Sequence, residues 1–470
     1  MNREKKLLNN ILIFAAGNMG SKLIQFVLIP FYTGILNPSE YGTVDMLQTI
    51  SMLLIPIFSL TISESVFRYG MDNETDKKSV FTSGLFVTIC GGVLLSVLTI
   101  LVQGFLQNFF GKLIYIWLMI SYSICNMLRT VTSQFLRAIG KVKIFTVDNV
   151  VQTASIVGMN LVLLLGFDMG IEGYMLGYIL GNLFSLIFGF CAGKLWKYIC
   201  IDGVNKAIFK TMLGFSVPLI LNTICWWISS STDKLMLVGF VGTFANGLYS
   251  VAHKIPSIIT IVVGVFIQAW QISANEEFNK KDTSEFYSQI LEALTMFSFV
   301  ISSGLMLFSK LEIKIITNNV YYNAWSAMIA LIVGMAFFSF AQFLGTIYTA
   351  NKKTTMAMLT NLLGAIVNVI FNYILIPKWG AVGAAIATSF SYLVLWLVRI
   401  ATTQKIVKLK YRKKRLIGCS VVLVIQAYVQ VSEIRGDWLV ATLCLVMIML
   451  FNFDILKSFQ KKILMFVRKK

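Results

Sequence analysis

The side chains through which this chain can do chemistry are charges set into apolar segments. They are Lys22, Glu64, Arg68, Arg129, Asp233, Lys234, His253 and Lys254. A charge at the centre of a membrane helix costs at least about 2.5 kcal/mol, so each of these must face protein or water. Most are basic, and the first apolar segment carries Lys22 with no carboxylate. That sign favours an anionic ligand. Phosphate-type anions suit Lys as a point charge and Arg as a two-pronged donor. Lys22, Arg129 and Lys254 are the first candidates for such contact, and Arg68 and Lys234 the second. Each has a plainer alternative. Lys22 can form a buried pair with Glu64, Arg68 and Glu64 can snorkel to the inner interface, and Asp233 and Lys234 can neutralise each other. Asp233, Glu64 and His253 are candidates for coupling or gating. His253, the single histidine, is either a proton relay or a simply hydrogen-bonded side chain.

Pro30, Pro56, Pro218 and Pro256 fall inside the first, second, seventh and eighth apolar segments. Proline removes a backbone hydrogen bond and bends a helix, so these helices are either moving gates or fixed packing kinks. Trp226, Trp227 and Trp270 lie near the same segments and can stack on sugars or face lipid. The seven cysteines are scattered and show no metal or redox spacing, so no cofactor and no metal is expected.

The elements that must position these residues are membrane helices. Of the 470 residues, 57% are hydrophobic and only 13% charged, against roughly 25% charged in soluble domains. A soluble fold could not hide that much apolar surface, which excludes a soluble enzyme, a disordered chain and a nucleic-acid-binding domain. Fourteen apolar segments of roughly bilayer-spanning length follow one another: about 10–36, 42–67, 79–105, 113–136, 144–166, 171–193, 211–236, 246–271, 285–308, 323–349, 354–376, 380–403, 416–432 and 437–456. Their apolar runs are continuous rather than alternating, which argues against a strand barrel.

With the N-terminus inside, 31 of the 40 Lys and Arg fall in inner segments, including Arg399 and the run from Lys405 to Arg415. The outer segments hold Lys112, Lys310, Lys314, Lys378 and Arg435, and four more basic residues lie within helices. Such a bias sets orientation, so both termini are expected in the cytoplasm of a multi-pass cell-membrane protein. It also accounts for the net charge of +19 without nucleic acid. The first helix is expected to be retained rather than cleaved, because its apolar run is long, is interrupted by Lys22 and lacks a small-x-small site.

The chain resembles itself. At an offset of about 205, Gly34–Gly42 falls on Gly239–Gly247; at about 210, Gly170-Ile-Glu-Gly173 falls on Gly380-Ala-Val-Gly383. Gly173, Gly177 and Gly181 then fall on Gly383, Ala387 and Ser391, small residues at the spacing that lets membrane helices approach closely. Six helices separate equivalents, so the halves share one orientation, as in transporters with a cavity between repeats. The expected organisation is a six-helix lobe at 1–205, a second at 206–410, and two further helices with a basic tail at 411–470.

One stretch is similar to a known family. Ser229-Ser-Ser-Thr-Asp233-Lys234-Leu-Met-Leu, then Asn246-Gly247-Leu-Tyr249-Ser250-Val-Ala252-His-Lys254-Ile-Pro256, strongly resembles the helix seven–eight region of Wzx-type polysaccharide repeat-unit flippases. These belong to the multidrug/oligosaccharidyl-lipid/polysaccharide (MOP) exporter superfamily. Asn37-Pro-Ser-Glu40-Tyr41-Gly42 resembles the matching helix one–two junction. The resemblance implies an all-α integral membrane protein with a MATE-like fold, two six-helix lobes around a cationic cavity and two additional helices. It implies a non-enzymatic flippase that carries oligosaccharide on undecaprenyl pyrophosphate from the inner to the outer leaflet by alternating access. A polysaccharide polymerase and other assembly proteins would be its partners in capsule, exopolysaccharide or O-antigen synthesis. The rivals are a multidrug/cation antiporter of the same fold, which should carry a deep acid in helix one, and a lipid II flippase. A membrane polymerase would need a long outer loop, which this sequence lacks.

Overall fold

A computed structural model describes residues 26–72, 74–199, 205–277, 282–351 and 353–457. Among them the chain is helical and has no strand. The helices are α1 (Ile29–Ile35), α2 (Pro38–Phe58), α3 (Ile62–Gly70), α4 (Lys77–Phe110), α5 (Leu113–Ala138), α6 (Val142–Leu161), α7 (Gly170–Ala192), α8 (Lys206–Phe240), α9 (Thr243–Ala252), α10 (Lys254–Glu277), α11 (Thr283–Leu307), α12 (Ser309–Ile316), α13 (Ala324–Ala350), α14 (Thr354–Thr403), α15 (Lys413–Val431) and α16 (Asp437–Phe451). Eleven helices among the described residues are long and apolar enough to cross a membrane.

The expected segments map onto these helices with identifiable breaks. Segment 42–67 is α2 followed by α3. They part after Pro56, where Leu60 and Thr61 take left-handed φ values of 51° and 47°. Segment 246–271 is α9 followed by α10, broken at His253. The pair 354–376 and 380–403 runs on as α14, whose one non-helical residue is Gly380 at φ 51°, three residues after Pro377. Segment 437–456 is the shorter α16. Segment 10–36 is described only from residue 26.

Pro30 and Pro256 each sit in the first turn after a one-residue break, at Leu28 and at His253, whose backbone angles stay right-handed helical. Each proline removes an N–H from the turn that spans its break, so the helical path is interrupted there. Pro56 and Pro218 lie within α2 and α8 as expected.

The described chain divides into two compact units, Ser39–Ser231 and the remainder. The division does not follow the sequence halves, because α1 belongs with the later helices and most of α8 with the earlier ones. In the Ser39–Ser231 unit, Ile62, Val66, Phe81, Val131 and Phe135 form a core, with Phe81 and Phe135 stacked at 4.5 Å. In the other unit α13 is the central helix. Trp270 of α10 is fully buried against it, stacked on Phe343 at 5.2 Å and donating its indole N–H to Thr346 Oγ1 at 3.0 Å. That position closes Trp270 to sugar stacking. Trp227 is likewise buried, its indole N–H bound to the Thr49 carbonyl; the Trp226 side chain lies outside the described residues.

The small-residue stripes do what their spacing implies. A Cβ at Gly177 would lie 1.8 Å from Asn160 Oδ1, one at Gly181 2.3 Å from Ile156 Cγ1, and one at Gly383 2.3 Å from the Leu375 carbonyl oxygen. Gly170 and Gly380, equivalent in the repeat, share a left-handed backbone at φ 54° and 51°. Each opens a tight turn between antiparallel helices that L-residues with a Cβ resist.

Candidate functional site

Two buried polar clusters stand out, one in each unit. The first centres on Asp233, near the end of α8. Its side chain is buried in apolar surroundings, and a buried carboxylate needs partners. Tyr249 of α9, fully buried, donates its hydroxyl to Asp233 Oδ2. Thr388, in the later part of α14, lies 3.5 Å from the same oxygen and 3.4 Å from the Tyr249 hydroxyl. Asn368, in the earlier part of α14, donates to Thr388 Oγ1 at 3.2 Å, and Asn372 donates to Asn368 Oδ1 at 2.9 Å. Asn372 is fully buried, and its Oδ1 has no hydrogen-bond partner among the described residues. A chain of hydrogen bonds thus runs from the Asp233 carboxylate through Tyr249 and Thr388 to Asn368 and Asn372, with one acceptor left over at its end. Oxygen-only donors of this kind suit a hard cation.

The local backbone explains why these residues meet. Tyr249 lies one turn before the break at His253, so the cluster sits where α9 ends. Asn368 and Asn372 are four residues apart and share a face. The kink at Gly380 folds the two parts of α14 against each other, bringing Thr388 beside Asn368.

Around this cluster lie three expected residues. Lys234 donates its backbone N–H to Asp233 Oδ1 at 2.9 Å, and its side chain is half-buried. His253 is half-buried at the break, its ring 6.3 Å from that of Tyr249. Lys254 opens α10, half-buried; no ion pair or side-chain hydrogen bond is formed by its ammonium among the described residues. The structure thus places Lys234 and His253 beside the Asp233–Tyr249 pair, and Lys254 follows His253 in the chain at the start of α10.

The second cluster holds Arg129 of α5. Its guanidinium pairs with Asp148 of α6 at 3.2 Å, and donates to Asn149 Oδ1 at 2.5 Å and to Ser185 Oγ of α7 at 3.1 Å. Ser185 in turn donates to Asp148 Oδ1 at 2.5 Å. The side chains of Arg129 and Asp148 are 13% and 2% exposed. Arg129 is thus paired with a carboxylate and hydrogen-bonded through Nε and Nη2 across three helices of its own unit, the arrangement of a packing group.

Glu64 and Arg68 lie one turn apart on the exposed face of α3 and form no ion pair with each other. Lys22 lies outside the described residues. Arg399, grouped by sequence with the inner-side cations, is instead buried within α14. It donates to Thr360 Oγ1 at 3.1 Å, to the Ala341 carbonyl at 2.7 Å and to Asn361 Oδ1 at 2.8 Å. Sequence reasoning also missed Tyr249, Asn368, Asn372 and Thr388, which are neutral. The visible signal was an Asn-x-x-x-Asn pair in a strongly apolar segment. It missed Asp148, a carboxylate four residues into an apolar run.

Comparison with known proteins agrees with this architecture. The family described as polysaccharide biosynthesis protein matches residues 7–272. An uncharacterized membrane protein of Methanocaldococcus jannaschii is 22% identical over 408 residues, covering 83% of this chain and 96% of that protein. A probable Na(+)/H(+) antiporter of Bacillus cereus is 23% identical, covering 61% of this chain and 74% of that protein. Among solved structures, the lipid II flippase MurJ in an inward closed conformation shares the fold at a TM-score of 0.69 and 15% identity, covering 95% of this chain and 100% of MurJ. An inward-facing MATE-family multidrug transporter of the MOP superfamily does so at 0.67 and 14%, covering 82% of this chain and 94% of that one.

Proposed function

Because the chain belongs to the polysaccharide biosynthesis protein family and has the MOP fold, we propose that it is a flippase for lipid-linked oligosaccharide. Its cargo would be a repeat unit on undecaprenyl pyrophosphate, moved from the inner to the outer leaflet of the cytoplasmic membrane by alternating access. The lobes would be 1–205 and 206–410, with 411–470 appended and both termini in the cytoplasm. A capsule, exopolysaccharide or O-antigen polymerase would take the product.

The observation that carries this reading is Lys254, a half-buried ammonium with no ion-pair partner among the described residues, at the start of a membrane helix. Sugars and pyrophosphate cannot enter hydrocarbon unpaired. An uncommitted cation within the protein supplies what the headgroup needs while the lipid tail stays in the bilayer. Lys22 and Lys254 are the primary contacts, with Arg68 and Lys234 as secondary ones. The lysine in helix one speaks against a multidrug/cation antiporter.

A second role fits the Asp233 cluster. We assign it to coupling with a small monovalent cation, for which the leftover Asn372 acceptor and the Asp233 carboxylate are the motivation. Relatedness to a probable Na(+)/H(+) antiporter is in keeping with this. His253 and Lys234 lie next to the cluster and would sense its charge.

Gene deletion followed by mass analysis of lipid-linked intermediates tests the activity: one defined repeat unit should accumulate on the inner leaflet. Complementation then tests the residues. At equal expression, Lys254→Gln should lose export while Lys254→Arg retains it, and Asp233→Asn should abolish cation dependence. Normal export from Lys22→Gln/Lys254→Gln would refute the assignment.

A further inference from the structure

The connector between α14 and α15 is strongly basic, and it is built rather than loose. Between Gln404 and Arg415 it carries Lys405, Lys408, Lys410, Arg412, Lys413, Lys414 and Arg415, with no acidic residue. Val407 and Leu409 are buried at 6% exposure each, while Lys408 and Lys410 between and beyond them are exposed. This alternation is that of an extended strap with one face docked. Its backbone is tied down at three points. Ser284 Oγ of α11 donates to the Lys408 carbonyl, the Lys410 N–H donates to Ser288 Oγ at 2.8 Å, and Gln404 Nε2 donates to the Leu409 carbonyl at 2.9 Å.

Among the described side chains the acids near the strap include Asp282, Glu285, Glu292 and Asp454; Glu276 and Glu277 close α10 at the same end. Glu292 is taken by Arg415 at 2.6 Å and Asp454 by Arg412 at 3.0 Å. Lys405, Lys408, Lys410, Lys413 and Lys414 are exposed and form no ion pair among the described residues. The strap joins the ends of two apolar helices, so it lies at the level of the lipid headgroups. It is the side to which the distribution of Lys and Arg assigns the cytoplasmic leaflet.

We propose that this strap is a docking site for anionic phospholipid headgroups. A solvated loop would gain nothing from being fastened. This one carries five exposed ammonium groups with no ion pair among the described residues, along a pinned backbone and the first turn of a membrane helix. Each such cation strengthens association with an anionic surface by about fivefold at moderate salt, and the effect fades within a Debye length. The occupant is a lipid rather than an acidic protein, because the cations run directly from the end of one membrane helix into the first turn of the next.

Native mass spectrometry of the full chain in detergent, titrated with phosphatidylglycerol or phosphatidylcholine, tests this. The protein should take up phosphatidylglycerol in preference, less so as salt rises. Lys408→Gln/Lys410→Gln/Lys414→Gln should weaken that uptake by roughly a hundredfold, whereas Lys112→Gln/Lys314→Gln/Lys378→Gln at the opposite ends of the helices should not. Equal binding by the strap variant and the parent overturns the proposal, as does equal uptake of the two lipids. Soluble glycerol phosphate binding as tightly as the lipid also overturns it, since the site would then hold a free phosphate. A melting temperature matching the parent's shows that the strap variant remains folded.

Discussion

Removing Asp148 tests whether Arg129 serves packing or cargo. In Asp148→Ala the guanidinium keeps Asn149 and Ser185 but loses its one counter-charge among the described residues, at 13% side-chain exposure. Two independent scales size the loss. Breaking one partner of a buried pair costs about 3–5 kcal/mol, and an uncompensated arginine within a membrane helix costs about 2.5–3.5 kcal/mol on insertion scales. Membrane hydrogen bonds alone are worth about 0.6 kcal/mol, because the unfolded helices also find partners. The carboxylate charge therefore dominates, and the expected destabilisation is about 3 kcal/mol. Arg129→Leu/Asp148→Leu removes both charges and restores apolar contact, so it should lie within about 1 kcal/mol of the parent. The measurement is unfolding in mixed micelles of rising SDS fraction, run as a double-mutant cycle, with export by complementation as the second readout. A coupling energy below about 0.5 kcal/mol refutes the packing role. So does a stable double variant that no longer exports, because Arg129 would then be contacting the cargo.

Two further predictions follow from local geometry. Glu312, on the short helix α12 between spans, has its Oε2 buried without a hydrogen-bond partner among the described residues, and burial raises its carboxyl from 4.5 to about 7. A raised acid favours folding while protonated, so its contribution is full below pH 4.5 and is lost as pH rises through 7. Glu312→Gln should therefore match the parent at pH 4 and exceed its stability by about 2 kcal/mol at pH 8, read by thermal unfolding in detergent; equal melting at both pH values would sink the idea. Gly181→Ala should cost about 2 kcal/mol through contact with Ile156, whereas Gly158→Ala, with nothing within 4 Å, should be neutral or slightly stabilising in the same assay.

What could be read from the sequence was whatever depends on period and sign. Apolar length gave the spans, and small residues at four-residue spacing gave the close helix pairs that Gly177, Gly181 and Gly383 make. The match of Gly170 to Gly380 became two left-handed turns. Charge partners were not legible, because nothing in spacing shows that Asp148 lies 19 residues from Arg129 on a neighbouring helix and satisfies it. Arg399 was misplaced because a cation near a helix end looks the same whether it snorkels outward or folds inward. The Asp233 cluster was half legible. Its carboxylate was visible, but Tyr249, Thr388 and the two asparagines carry no charge to mark them.

The two arginines join these strands. An offset of 212 residues carries Arg129, Asp148 and Asn149 onto Ala341, Thr360 and Asn361, and one of 210 carries Gly189 onto Arg399. In the first half the guanidinium comes from α5 and reaches α6 and α7. In the second it comes from the later part of α14 and reaches back to its earlier part and to α13, whose Gly345 leaves the space: a Cβ there would lie 2.8 Å from Arg399 Nη1. Each half thus fastens the same three helices around one buried guanidinium, supplied from opposite sides. The backbone breaks lie elsewhere, after Pro56 in the α2–α3 pair and at His253 in the α9–α10 pair, which are equivalent in the repeat. The alternating access proposed above would need rigid groups and joints, and this distribution would put the rigidity around the arginines and the joints at the breaks. Spin labels on α5 and α7, or on α13 and the later part of α14, should keep one separation through the transport cycle, while labels across either break should show two. One separation across both breaks, with two inside an arginine-fastened group, would invert the argument and make the guanidinium clusters the moving parts.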